Sequence, residues 1–294
     1  MNPVLHSFDT LALRGQLDGG FAERTLVLRQ ARQVVREAGA DGARAPTLVL
    51  LHGIGSGAPS WLAVARQLAA RARVLAWDAP GYGNSTPLPM AQPRAEDYAL
   101  RLGQTLDALG VEHCVLVGHS LGAHSALALA CAQPRRVRRL VLISPAAGYG
   151  QPGAEQARLA VRERRLLALD SLGIDGMARE RSAHLLSPAA SAEQLAWVRW
   201  NMARLNASGY RQAIELLCAE DLLRHGVPAV PTQVFCGEHD TITTPEACQR
   251  IAAGLASPFS LIEGAGHASP VEQPLQVSRL LAAALNLAKE SDDE

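Results

Sequence analysis

Short apolar runs that end in turn residues recur through the first half of the chain and again near its end. Residues 47–52 (TLVLLH), 73–78 (RVLAWD), 114–118 (CVLVG), 137–144 (VRRLVLIS) and 232–237 (TQVFCG) are of this kind. They do not alternate as a half-exposed strand does, and they read as strands buried on both faces. Helix-length segments lie between them, near residues 61–70, 95–109 and 120–132. Such alternation predicts βαβ units: an α/β fold whose mostly parallel sheet carries helices on both faces. Residues 11–17 and 21–28, joined by Asp18-Gly19-Gly20, read as an antiparallel hairpin at one edge.

The alternation stops near Gly148. Helical patterns over residues 155–172 and 192–205 follow without convincing strands. Gly148, Gly150, Pro152 and Gly153 punctuate the start of this stretch and residues 227–231 its end. The pattern predicts a core domain of residues 1–147 and 229–294 with a helical cap, residues 148–228, inserted into it.

Composition narrows the setting. With 294 residues, 48% hydrophobic and 19% charged, the chain can bury a sizeable core and has none of the signature of disorder. Basic and acidic residues balance at 28 each, so no global field favours nucleic acid or an anionic membrane. The first fifteen residues lack the basic and apolar pattern of a secretory signal, and no apolar run approaches the roughly 18 residues that span a bilayer. Cys114, Cys131, Cys218, Cys236 and Cys248 are odd in number and widely spaced. Without a C-x-x-C pair they suggest buried thiols in a reducing cytoplasm rather than a metal or redox centre.

The chemistry is concentrated at the ends of strands. Gly118-His119-Ser120-Leu121-Gly122 fits G-x-S-x-G where a strand gives way to a helix, the context in which a sharp turn exposes a nucleophilic serine. His52-Gly53-Ile54-Gly55 follows another strand as a glycine-rich turn. The backbone amides of Ile54 and Leu121 are the expected oxyanion donors. A serine hydrolase also needs a histidine base and a carboxylate to orient it, in the order Ser, Asp or Glu, then His. Asp240 in GEHDTITTP and His267 in GAGHASP satisfy that order. Glu238 is a second candidate for the carboxylate, and Asp78 a third with a better claim to a turn-stabilising role. His119 and His239 neighbour the site and are candidates to shape it; the other histidines have structural readings.

Together LLHGIG, DAPGYGNS, GHSLGA, GEHDTIT and GAGHASPVEQP resemble the α/β-hydrolase superfamily over nearly the whole chain. The resemblance implies an eight-stranded, mostly parallel sheet, with the cap inserted after the sixth strand. HGIGSGAPSW is similar to the oxyanion loop of the meta-cleavage product hydrolases, H-G-x-G-P-G-x-x-x-W, a loop also like those of esterases and enol-lactonases. Ser56 stands where proline is usual there, and His119 where asparagine is. Haloalkane dehalogenases share the fold but carry aspartate at the position of Ser120.

The expected activity is therefore hydrolysis of a carboxylic ester or lactone of a small, largely apolar substrate through an acyl-enzyme, with neither metal nor organic cofactor. The alternatives are C–C bond hydrolysis of the meta-cleavage type, or a lyase or cofactor-free oxygenase on the same scaffold. Trp61, from the oxyanion loop, and Trp197, Trp200, Met202 and Tyr210, from the cap, are candidate pocket liners beside His119. Arg158, Arg162, Arg164 and Arg165 are interspersed with Glu155 and Glu163 and read as a solvated helix face. A small molecule is the expected partner; association as a homodimer stays open.

Overall fold

Backbone groups in a buried sheet must find partners across strands, and this chain satisfies them with eight. The computed structural model describes residues 15, 17, 19–39 and 45–290. The strands are β1 (Ala22–Leu28), β2 (Ala31–Ala38), β3 (Thr47–Leu51), β4 (Arg73–Trp77), β5 (Cys114–His119), β6 (Val137–Ile143), β7 (Thr232–Gly237) and β8 (Phe259–Ile262). They form one sheet in the order β1-β2-β4-β3-β5-β6-β7-β8. The β1–β2 and β2–β4 pairs are antiparallel, and every other pair is parallel. This is the α/β-hydrolase fold that the motifs implied.

Side chains of successive strand residues go to opposite faces, which is why the central strands carry no polar side. In β3, Leu48 and Leu50 join one core and Val49 and Leu51 the other; in β5, Val115 and Val117 oppose Cys114 and Leu116. Helices α1 (Leu62–Leu68) and α9 (Pro274–Glu290) cover the first face. Helices α2 (Ala95–Ala108), α3 (Gly122–Ala132) and α7 (Pro245–Gly254) cover the second. The short α8 (Ser269–Glu272) precedes α9. No helix among the described residues is long and apolar enough to cross a membrane.

The edge hairpin differs from the expected one. β1 pairs with β2, which follows it across the two-residue turn Arg29-Gln30. Most of residues 11–17 lie outside the described residues; Leu17 is helical and buried, and its carbonyl accepts from Phe21 N at 2.8 Å. β2 escapes a hydrophobicity reading because its charges are met across strands rather than by water. Arg36 stands opposite Glu23 and reaches it at 2.9 Å, also donating to the Phe21 carbonyl; Arg73 of β4 reaches Glu37 at 2.6 Å.

Between β6 and β7 the chain forms α4 (Glu155–Arg181), α5 (Ala192–Ala203) and α6 (Ala207–Ala219). The ends of this segment are stitched together. Gly150 N donates to the Glu220 carbonyl at 2.7 Å and Leu222 N to that of Ala147 at 2.8 Å. At Gly148, φ is 82°, and a Cβ there would lie 2.0 Å from the Glu220 carbonyl oxygen, so only glycine fits.

The side chain of Glu220 itself is fully buried. It accepts from Arg94 Nε and Arg224 Nε, both at 2.6 Å, and from the first amide of α2, Ala95 N, at 3.1 Å. Burial alone would raise this carboxyl; the Arg224 and Ala95 hydrogen bonds and the two guanidinium charges overcome it and hold the group below its ordinary range. Replacing Glu220 with alanine should cost about 2 kcal/mol in urea unfolding. That is less than the roughly 3–5 kcal/mol of a fully buried pair, since both arginines reach water. An unchanged midpoint would remove this cluster as a seat for the inserted helices.

Candidate active site

β5 ends at His119, and α3 begins three residues later at Gly122. Ser120 makes the turn between them with φ of 52°, the left-handed region that a non-glycine residue enters only at a cost. Neighbours hold it there: Ser120 N donates to the Ile143 carbonyl at 3.0 Å, and Ala146 N to the Ser120 carbonyl at 3.2 Å. The turn is tight enough that a Cβ on Gly118 would lie 2.7 Å from Ala123 Cα, and one on Gly122 2.8 Å from the His52 carbonyl oxygen. Both motif glycines are thus required by close backbone approach.

The turn presents Ser120 Oγ to His267, which follows β8. The Ser120 hydroxyl donates to His267 Nε2 at 3.0 Å, and His267 Nδ1–H donates to Asp240 Oδ2 at 2.8 Å. Asp240 follows β7 and is locked by the turn it begins. Its Oδ1 accepts from Ile242 N at 2.8 Å and Thr243 N at 2.9 Å, and the Thr243 hydroxyl lies 2.9 Å from Oδ2. Burial would raise the Asp240 carboxyl, but the facing His267 charge and these hydrogen bonds hold it well below the usual carboxylate range. Glu238, the rival carboxylate, is exposed and accepts instead from Gly264 N at 2.9 Å. His239 is also exposed, 3.9 Å from Glu238 and away from the serine.

The loop after β3 comes against the serine. A Cβ on Gly53 would sit 2.9 Å from Ser120 Cβ, so this position too needs glycine. Ile54 and Leu121 both border the cavity in front of Ser120, and among the described residues neither amide has a backbone acceptor. Two buried side chains anchor the loop from below. His52 donates through Nδ1–H to the Gly53 carbonyl at 2.8 Å and accepts the Ala79 amide at Nε2, 3.0 Å away; Tyr82 donates to the Ile54 carbonyl at 2.9 Å. Asp78 has a structural role, though not in the turn that follows it: its Oδ1 accepts from Ala58 N at 2.8 Å.

The cavity is about 350 Å³, bounded by the strand ends below and by α4, α5 and α6 above. His119 and Tyr210 border it, as does Met202. Trp61, Trp197 and Trp200 do not, contrary to expectation. Trp61 is fully buried behind His119, edge-on with ring centroids 6.2 Å apart. Trp197 stacks on Trp200 at 4.8 Å and packs into the α1/α9 core, while Arg204 covers Trp200. Ring size and apolarity match both sides of a cavity wall equally, and sequence spacing did not distinguish them. Arg165 is the reverse case: expected on a solvated face, it borders the cavity, while its neighbour Arg162 pairs with Glu215.

Other positioning residues left no local signal. Glu272, almost buried, accepts from Gly266 N at 2.9 Å and Ser187 N at 2.7 Å. It thereby fixes the His267 loop to the segment between α4 and α5. His119 donates through Nε2–H to the His267 carbonyl at 2.8 Å, steadying the same loop. Among the described residues no cluster of three or more His, Cys, Asp or Glu is disposed to hold a metal.

The alpha/beta hydrolase family model matches residues 48–280. The chain belongs to the alpha/beta hydrolase family. Among the relatives of this hydrolase, 2-hydroxy-6-oxononadienedioate/2-hydroxy-6-oxononatrienedioate hydrolase 2 of Pseudomonas putida is 29% identical over 82% of this chain and 87% of its own. RutD of Variovorax paradoxus, named for carbamate hydrolysis, is 31% identical over 82% of this chain and 91% of its own. The crystal structure of the enol-lactonase from Burkholderia xenovorans LB400 matches with a TM-score of 0.79 at 23% identity, over 90% of this chain and all of that one. That identity speaks for the fold alone.

Two histidines around the site should stay neutral through the physiological range. Burial, and then the neighbouring His267 charge, pull His119 from 6.5 down to about 3; burial pulls fully enclosed His124 down to about 4. Because the unfolded chain takes up these protons first, stability should fall as pH drops below 6.5 and level off only near 3. Imidazole carbon-bound proton resonances for both residues should not move between pH 5 and 8. A midpoint near 6.5 for either would show a hydrated ring.

Proposed function

We propose that this chain is a serine hydrolase that cleaves a carboxylic ester or lactone of a small, largely apolar substrate through an acyl-enzyme. The observation carrying the proposal is the continuous hydrogen-bonded chain from Asp240 through His267 to Ser120 at the floor of a mostly apolar cavity. In this reading Ser120 is the nucleophile, His267 the general base and acid, and Asp240 the group that fixes the His267 tautomer and stabilises its cation. Residues 148–228 serve as a cap over a core of residues 1–147 and 229–294.

Ser120 Oγ attacks the carbonyl carbon while its proton passes to His267 Nε2. The carbonyl oxygen, now negative, is held by the Ile54 and Leu121 amides. Collapse expels the alkoxide, which takes the proton back from Nε2, and leaves an ester on Oγ. Water, deprotonated by the same nitrogen, then attacks that ester; the acid leaves and Oγ recovers its proton. Acylation and deacylation, once complete, each return His267 to the neutral Nδ1–H form that Asp240 favours. His119 and Tyr210 contact the substrate from opposite sides of the cavity.

Carbon–carbon bond hydrolysis is the second reading, favoured by the Pseudomonas putida relative, whose name specifies a dienedioate substrate. Comparing p-nitrophenyl butyrate, lactones and vinylogous diketones as substrates separates the two. Ser120→Ala should lower turnover of the preferred substrate about 10⁶-fold and Asp240→Asn about 10⁴-fold, with the fold intact by circular dichroism. Near wild-type turnover by the folded Ser120→Ala protein contradicts the proposal.

A further inference from the structure

The cavity above Ser120 contains a charge that the ester chemistry does not use. Ile54, Met177, Leu185, Val198, Met202 and Leu217 give it an apolar wall, yet Arg165 and Arg181 of α4 border it as well. No Asp or Glu does. Among the described residues neither arginine has a carboxylate within ion-pair distance. Two arginines nearby on the same helices are paired instead, Arg162 with Glu215 at 2.6 Å and Arg211 with Asp170. Arg165 Nη1 donates only to the Tyr210 hydroxyl, at 3.1 Å, and its buried Nε has no acceptor.

Their meeting is built into the helix. On a straight α-helix two residues 16 apart would lie about 24 Å apart along the axis, too far to share one small cavity. α4 is broken between them at Gly173, where φ is 64° and ψ −179°, a combination essentially confined to glycine. The turn at Gly173 brings the two halves of α4 to the same cavity. Burial, and then repulsion from Arg165, lower the basicity of Arg181, but a guanidinium stays charged at neutral pH. Two uncompensated cations beside an apolar wall cost free energy that an anionic ligand relieves.

We infer that Arg165 and Arg181 form a subsite for a carboxylate carried by the substrate at a distance from the carbonyl attacked by Ser120. The guanidinium fork matches a planar carboxylate in two parallel hydrogen bonds, and the apolar wall between suits a short carbon chain. A phosphate dianion would bring a second charge to be desolvated against the same wall. The inference rests on the serine hydrolase reading and narrows it to esters, lactones or related acyl compounds with one anionic end.

The test is a binding measurement in the Ser120→Ala protein by titration calorimetry, comparing monomethyl adipate with its neutral counterpart dimethyl adipate. The anion should bind about tenfold or more tighter. Adding Arg165→Gln and Arg181→Gln should bring the two affinities within about twofold of each other, while Arg181→Lys alone should keep part of the preference. Reading the ratio within each protein removes general loosening of the cavity. If the double variant melts early, Arg181→Gln alone should still reduce the ratio about threefold. Equal affinities, undetectable binding of both ligands, or an unchanged preference after both substitutions overturns the subsite. A preference for the anion alongside a Ser120→Ala protein that still hydrolyses esters would instead sink the nucleophile and leave the subsite standing.

Discussion

The left-handed backbone at Ser120 is the constraint around which the site is arranged. A residue there forgoes about 1–2 kcal/mol relative to ordinary backbone, and the surrounding sheet has to supply it. In return one turn does three things. It lifts the hydroxyl off the strand end, starts α3 so that the Leu121 amide has no backbone partner among the described residues, and leaves room for Gly53 to approach within contact of the Ser120 side chain. Larger residues at Gly53, Gly118 or Gly122 would push apart backbone segments from β3, β5 and α3 together, so the geometry is held by several strands at once.

The features that sequence analysis captured are those with a local cause. β7 was legible to the residue, because apolar runs bounded by turn residues have few other readings. The G-x-S-x-G turn was legible because glycine is forced there by contact. What was missed depends on partners far along the chain. β2 looked polar because the residues that neutralise Arg36 and Glu37 lie on β1 and β4. Glu272 gave no sign of its role since one of its partners, Ser187, is 85 positions away. Trp61, Trp197 and Trp200 failed as cavity residues for a different reason: an apolar ring belongs equally to the wall and to what lies behind it. Arg165 was misplaced because its interspersed glutamates suggested a solvated face, whereas its partner, the Tyr210 hydroxyl, lies 45 positions away.

Buried titratable groups near the site are either supplied with donors or depressed toward neutrality. Asp240 is ionised and supplied with donors, Glu220 is clamped by two arginines, and His52, His119 and His124 are depressed by burial. Among the described residues Arg165 and Arg181 border the same cavity as the serine with no carboxylate in ion-pair distance. Strand ends thus place Ser120, Asp240 and His267 below the cavity, and α4, α5 and α6 form its upper wall.

The most direct test of this account is covalent capture of the serine. A fluorophosphonate probe should add one mass increment per chain, the modified peptide should map to Ser120, and His267→Ala should slow the addition by several orders of magnitude. A folded protein that takes up no probe, or takes it up at a residue other than Ser120, would contradict the account.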